Sequence, residues 1–178
     1  ILAGMGASDA ANIIANISDT MLATTLANDF IADINTTTAD TGVLIGTIAN
    51  TNDSLATTLA NNFIANASTN TADAGILIGT IANINETFAT TLAENFIGTA
   101  ATTTDQADFL SALIANDNSE LAATLVANMN ASDAAPILAD IDSSAAATLV
   151  TNMGASDATP ILAGMGASDA ANIIANIS

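Results

Sequence analysis

The chain has 178 residues, 18 of them Asp or Glu and none Lys, Arg or His, so its formal charge is −18. With no cationic side chain, intrachain salt bridges between side chains cannot form, and binding to nucleic acid by phosphate neutralisation is not expected. Just over half the residues are apolar, Cys is absent, and Asn, Thr, Asp or Gly interrupts every apolar run; this leaves no disulfide or thiolate metal site and no membrane span. Solvent cations must relieve the self-repulsion, so high salt or divalent ions suit such a chain. Trypsin has no residue to cleave after, which fits a place outside a cell or at its surface. The chain begins at Ile1 with neither an initiator Met nor a signal peptide, as expected of a mature or excised segment.

Taken from its start, the chain repeats itself on two scales. Residues 1–18, ILAGMGASDAANIIANIS, recur without change at 161–178, which predicts one long unit over 1–160 and the start of the next at 161–178. Alternatively, the ends are built to continue one another between subunits. Inside the long unit, residues 21–53, 54–86 and 87–119 are three copies of a 33-residue repeat, as in SLATTLANNFIANASTNTADAGILIGTIANINE. From Glu120 to residue 160 the unit shortens to steps near 12 residues, beginning ELAATLVANMN, ASDAAPILADID and SSAAATLVTNMG. Each long copy reads as two short units joined by an Asn/Thr-rich insert, at 35–38, 66–71 and 99–104.

Each short unit predicts a helix of two to three turns. Leu55, Leu59, Phe63 and Ile64 fall at i, i+4, i+8 and i+9, one face of an α-helix. With Asp133 as N-cap, Pro136 falls in the first turn, where its missing N–H costs nothing. Gly154 and Gly166 suit the left-handed position that ends a preceding helix. The stretches GVLIGTIA (42–49) and GILIGTIA (75–82) have the composition of buried strands, but their alignment with APILADI predicts helix. Helices this short are marginal alone and must lay their apolar stripes on their neighbours. The expected fold is therefore all-α, an α-solenoid of short antiparallel helices; a β-solenoid is the alternative, since Thr, Asn, Gly and Ile are also its residues.

The segment ASDAAPILADIDSSAAATLVTNMGASDATPILAGM (131–165) resembles the N-terminal superhelical domain of MgtE-type magnesium transporters and the related short-helix repeats of the flagellar switch protein FliG. Those families repeat a polar cap, a pair of Ala, then Ile-Leu and a terminal Met. The resemblance implies short-helix stacking and, as a function, a cation-responsive interaction module.

The carboxylates are the candidate chemistry. Asp9, Asp133, Asp157 and Asp169 each follow Ser in ASDA, and read as N-caps that accept from free helix N–H groups. Asp140 with Asp142, and Asp105 with Asp108, are candidate contacts for Ca²⁺ or other solvent cations, and pairs of this kind also serve as acid and base in glycoside cleavage. No EF-hand loop is present, and helix ends in an acidic protein account for the same pairs. Ser and Thr abound, but His, Cys, Lys and Tyr are absent, so the usual activating bases are missing. No phosphate-binding glycine loop occurs, and neither catalysis nor a cofactor is expected. Asn-x-Ser/Thr acceptors stand at Asn16, Asn35, Asn52, Asn66, Asn85, Asn130 and Asn176, with Asn35 and Asn66 in the inserts where a glycan could project. The expected function is structural: an extracellular filament, tubule or surface layer whose partner is another copy of itself, joined head to tail. A soluble interaction module is the alternative.

Overall fold

A computed structural model describes residues 2, 4–33, 35–66 and 70–177. Among them lie twelve helices and no strand, so the fold is all-α and the β-solenoid alternative is set aside. The chain divides into two compact units, Ile1–Leu92 and Ala93–Ser178. The helices, in order, are α1 (Ala7–Ala15), α2 (Thr20–Ile31), α3 (Thr38–Ala49), α4 (Asp53–Ile64), α5 (Thr71–Ala82), α6 (Glu86–Thr99), α7 (Thr103–Ala115), α8 (Ser119–Ala127), α9 (Ala131–Asp140), α10 (Ser143–Met153), α11 (Ala155–Gly164) and α12 (Ala167–Ala175). Each 33-residue copy thus supplies two helices, and each 12-residue step supplies one. The inserts fall between paired helices; residues 67–69 of the second insert lie outside the described residues, as do Ile1, Ala3 and Ser178 of the matching end segments.

The first unit is a two-layer array. One row is α1–α3–α5, the other is α2–α4, and α1 meets α2 as α3 meets α4 across the layers. α3 and α5 run in the same direction. Thr38 at the start of α3 donates to Asp73 near the start of α5 (3.4 Å), and Asn85 after α5 donates to Asn50 after α3 (3.1 Å). Glycine makes this approach possible, because a Cβ at Gly42 would stand 2.7 Å from Thr80 Cβ, and one at Gly46 3.2 Å from Ile84 Cβ. The four-residue Gly spacing therefore serves packing between helix backbones, which explains how a strand-like composition yields helices. The LATTLAN stripe buries as expected through Leu55 and Leu59, joined by Ala56 and Ala60, while Phe63 and Ile64 stay half-buried.

The second unit has the same plan. One row is α7–α9–α11, the other is α8–α10–α12, and α9 and α11 each touch α10. Three of the 12-residue units read A-A-x-[IL]-[LV], and in these the four apolar positions are the buried ones: Ala122, Ala123, Leu125 and Val126 in α8, Ala134, Ala135, Ile137 and Leu138 in α9, and Ala146, Ala147, Leu149 and Val150 in α10. Positions i, i+1, i+3 and i+4 make one stripe, and the pair of Ala lets neighbouring helices approach. Phe96 and Phe109 stack with ring centroids 4.6 Å apart. Asn152 donates to Ser119 Oγ (3.0 Å) and Asn176 to Ser143 Oγ (3.2 Å), so the ends of α10 and α12 reach the starts of α8 and α10.

Two expectations about helix starts are corrected. Pro136 and Pro160 lie inside α9 and α11, at the sixth helical position instead of the first turn, because these helices begin at Ala131 and Ala155. Each Pro therefore removes an interior backbone hydrogen bond, and its ring points to solvent. Gly154 has the positive φ expected of it (φ 82, ψ 164), a conformation that side chains avoid, and it ends α10 and begins α11. Gly166 does not: its φ of −59 and ψ of 140 are ordinary extended backbone.

Candidate functional site: helix-end carboxylates and the two terminal faces

The four ASDA aspartates are not N-caps. Gly6, Asn130, Gly154 and Gly166 hold that position, and Asp9, Asp133, Asp157 and Asp169 sit at the third helical residue. The extended backbone of the residue before Ala starts the helix three positions earlier than the aspartate. They still stand in the first turn, where a negative charge meets the positive end of the helix dipole. Asp133 also accepts weakly from Asn130 Nδ2 (3.5 Å) and Ser132 Oγ (3.5 Å).

Side-chain N-caps exist elsewhere, at residues the sequence reading passed over. Asp19 accepts from Met21 N and Leu22 N, and Asn52 accepts from Leu55 N. Thr37 with Asp40 and Asn70 with Asp73 form reciprocal capping boxes. For the two boxes the signal was present, since a polar residue three before Asp opens α3 and α5. In the first box Thr37 Oγ donates to Asp40 Oδ2 at 2.7 Å and Thr37 N donates to the same oxygen at 3.0 Å. These two hydrogen bonds hold the Asp40 carboxyl below its usual range, against a small opposing effect of burial.

The candidate cation contacts resolve into helix ends. Asp142 is the N-cap of α10 and accepts from Ser144 N (3.0 Å), and Asp140 is the exposed last residue of α9. Asp105 accepts from the hydroxyl of Thr102, the N-cap of α7 (2.8 Å), while Asp108 is exposed on the same helix. Among the described residues no three acidic groups converge to hold a metal ion.

The glycan acceptors divide by what their amides already do. Asn35 is exposed in the link between α2 and α3, its Nδ2 donating to Asp33 (3.0 Å), and Asn66 is exposed just after α4, with Ser68 of its acceptor motif outside the described residues. Asn52 and Asn130 are the N-caps of α4 and α9, and Asn85 bonds both Phe88 N and Asn50. Asn16 and Asn176 end α1 and α12; Ser178, of the last motif, lies outside the described residues.

A cleft between the ends of α2 and α4 is lined by Asn28, Asn62, Asn66, Ile31, Leu59 and Phe63, so it offers amides and apolar surface. The more informative surfaces lie at α1 and α2 of the first unit and at α12 of the second. Among the described residues, the exposed large hydrophobics are Ile13, Met21 and Leu22 near the beginning and Ile174 and Ile177 near the end. α1 and α12 have one sequence, ASDAANIIA, yet bury different sides of it. In α1 Ala10, Ala11 and Ile14 are buried and Ile13 is 45% exposed, whereas in α12 Ile173 is buried and Ile174 is 55% exposed.

The family model described as the MgtE intracellular N domain matches residues 101–178, a span that covers α7–α12. The resemblance in 131–165 thus extends to most of the second unit. No curated protein and no solved structure matches the chain. No helix among the described residues is long and apolar enough to cross a membrane.

Proposed function

We propose that this chain is a structural segment of an acidic, self-continuing helical array, forming a filament, tubule or surface layer outside the cell by head-to-tail association. One observation carries the reading: the exposed large hydrophobic side chains gather at the two ends, in Ile13–Leu22 and Ile174–Ile177. α1 and α12 share one sequence and expose different sides of it, which suits a heterologous contact that propagates without closing. The extracellular placement rests on composition, since a chain without Lys or Arg gives trypsin-like proteases nothing to cut. The charge of −18 sets the condition for assembly, because copies repel until counter-cations screen them.

Electron microscopy of the purified chain over a titration of Mg²⁺ or Ca²⁺ tests this reading. End-to-end rods that lengthen as divalent cation rises are the expected result. Dispersed single chains at every cation and protein concentration would sink it.

The family match over residues 101–178 favours a second reading, a cation-responsive interaction module. It predicts a cation-induced change in hydrogen exchange within the second unit of the isolated chain, without growth in particle size.

A further inference from the structure

A helix inside one of these rows has neighbours two elements before it and two after it, as α3 has α1 and α5, and α10 has α8 and α12. α1 packs along its row on the later neighbour α3, and α12 on the earlier neighbour α10. The shared sequence of α1 and α12 is thus seen in each half of an interior helix's surroundings. In α1, packed on α3 and α2, Ala10, Ala11 and Ile14 are buried; in α12, packed on α10, Ile173, the counterpart of Ile13, is buried instead. Asn176 adds a polar contact to that second side through Ser143. The fully buried sets do not coincide, and only Ala170, the counterpart of Ala10, is at least partly covered in both settings, so one helix can meet both neighbours together.

We propose that the open face of α12, marked by Ala171 and Ile174, is an interface for a second copy of this chain. It packs on that copy's α3 as α1 packs on α3 here, so a single helix closes one copy and opens the next. This specifies the junction of the array proposed above and rests on that reading. The match is of residue with residue: Ala170, Ala171 and Ile174 are the counterparts of Ala10, Ala11 and Ile14, which are fully buried in α1. In free chains that face of α3 is held by α1, so end-to-end joining exchanges α1 of the second copy for the identical α12 of the first. Copies joined in register have no such competitor.

The test compares the chain with a linked protein in which residues 1–178 run directly into a second 19–178. Because the chain contains no Cys, single substitutions Ile173→Cys and Ile174→Cys report on each face through their rate of thiol alkylation. In the 178-residue chain Ile174→Cys should react at least about tenfold faster than Ile173→Cys, and in the linked protein it should slow by about the same factor. Hydrogen exchange on the two unsubstituted proteins gives a second readout: α12 amides should gain about tenfold protection on linkage. An unchanged alkylation rate at Ile174→Cys in folded linked protein, or unchanged exchange in α12, overturns the junction. Protection at Ile174 in copies that never form filaments keeps the junction and removes the filament. Filaments in which Ile174→Cys stays reactive do the reverse.

Discussion

Gly42 of α3 lies against Thr80 of α5 so closely that a Cβ on the glycine would come within 2.7 Å of Thr80 Cβ and 3.0 Å of the Leu77 carbonyl oxygen. One of these obstacles is backbone and cannot rotate away. Gly42→Ala should therefore destabilise the chain by about 1–3 kcal/mol, with overpacking outweighing the helix propensity of Ala. Gly98, near the end of α6, meets nothing within 4 Å, so Gly98→Ala should be neutral or stabilising by about 0.5 kcal/mol. Chemical denaturation of the two variants checks the contrast; a Gly42→Ala midpoint at or above the parent's would show that the approach is not close.

Pro136 interrupts α9 on its solvent side and leaves the helix one backbone hydrogen bond short. Pro136→Ala should restore that bond and raise stability by about 1–3 kcal/mol, less what the stiffer unfolded chain contributed. A fall in melting temperature would mean that the ring fills a contact its exposure does not reveal.

Ile14 and Ile174 occupy the same place in one helix sequence. Ile14→Ala should cost about 2–5 kcal/mol in the single chain, because it empties a fully buried site. Ile174→Ala should cost less than about 1 kcal/mol, since 55% of that side chain already faces water. Equal losses from the two substitutions would contradict the opposite burial of the two ends.

The capping box of α3 should be sensitive to acid. Hydrogen bonds from Thr37 lower the Asp40 pKa in the folded state. The stabilisation it contributes is therefore complete above the unfolded carboxylate value, about 3.9, and is lost as pH falls through the lower folded value. Thermal unfolding of the parent and Thr37→Ala should show a gap in melting temperature near neutral pH that narrows as pH falls below the ordinary carboxylate value. Comparing the two proteins cancels the general effect of neutralising the other carboxylates. A gap independent of pH would remove Asp40 from the account.

Salt should stabilise the chain at neutral pH, because every ionised side chain has the same sign. The melting temperature should climb from about 10 mM to about 150 mM NaCl as the Debye length contracts, and divalent salts should act at lower concentration. A flat salt series would show that the folded state does not bring its charges closer together than the unfolded one.

The helical class, the repeat copies and the apolar stripe are legible in the residues, since A-A-x-[IL]-[LV] places its four apolar positions on one side of a 3.6-residue helix whatever surrounds it. The paired rows are not, because which helix lies beside which depends on contacts between residues some 33–38 positions apart, such as Asn152 with Ser119 and Gly42 with Thr80. The helix starts were misread for a local reason: an aspartate satisfies the positive end of a helix from the cap or from the third residue, and ASDA fits both until the backbone of Gly6 or Asn130 decides. The candidate cation pairs shared that ambiguity, as Asp142 proved to be a cap and Asp105 the partner of one. By itself the sequence determined that the two end helices are identical, because identity needs no coordinates. Only the tertiary structure decided that Ile14 turns inward while Ile174 turns out, because burial belongs to the neighbour a helix meets, and α1 meets α3 where α12 meets α10.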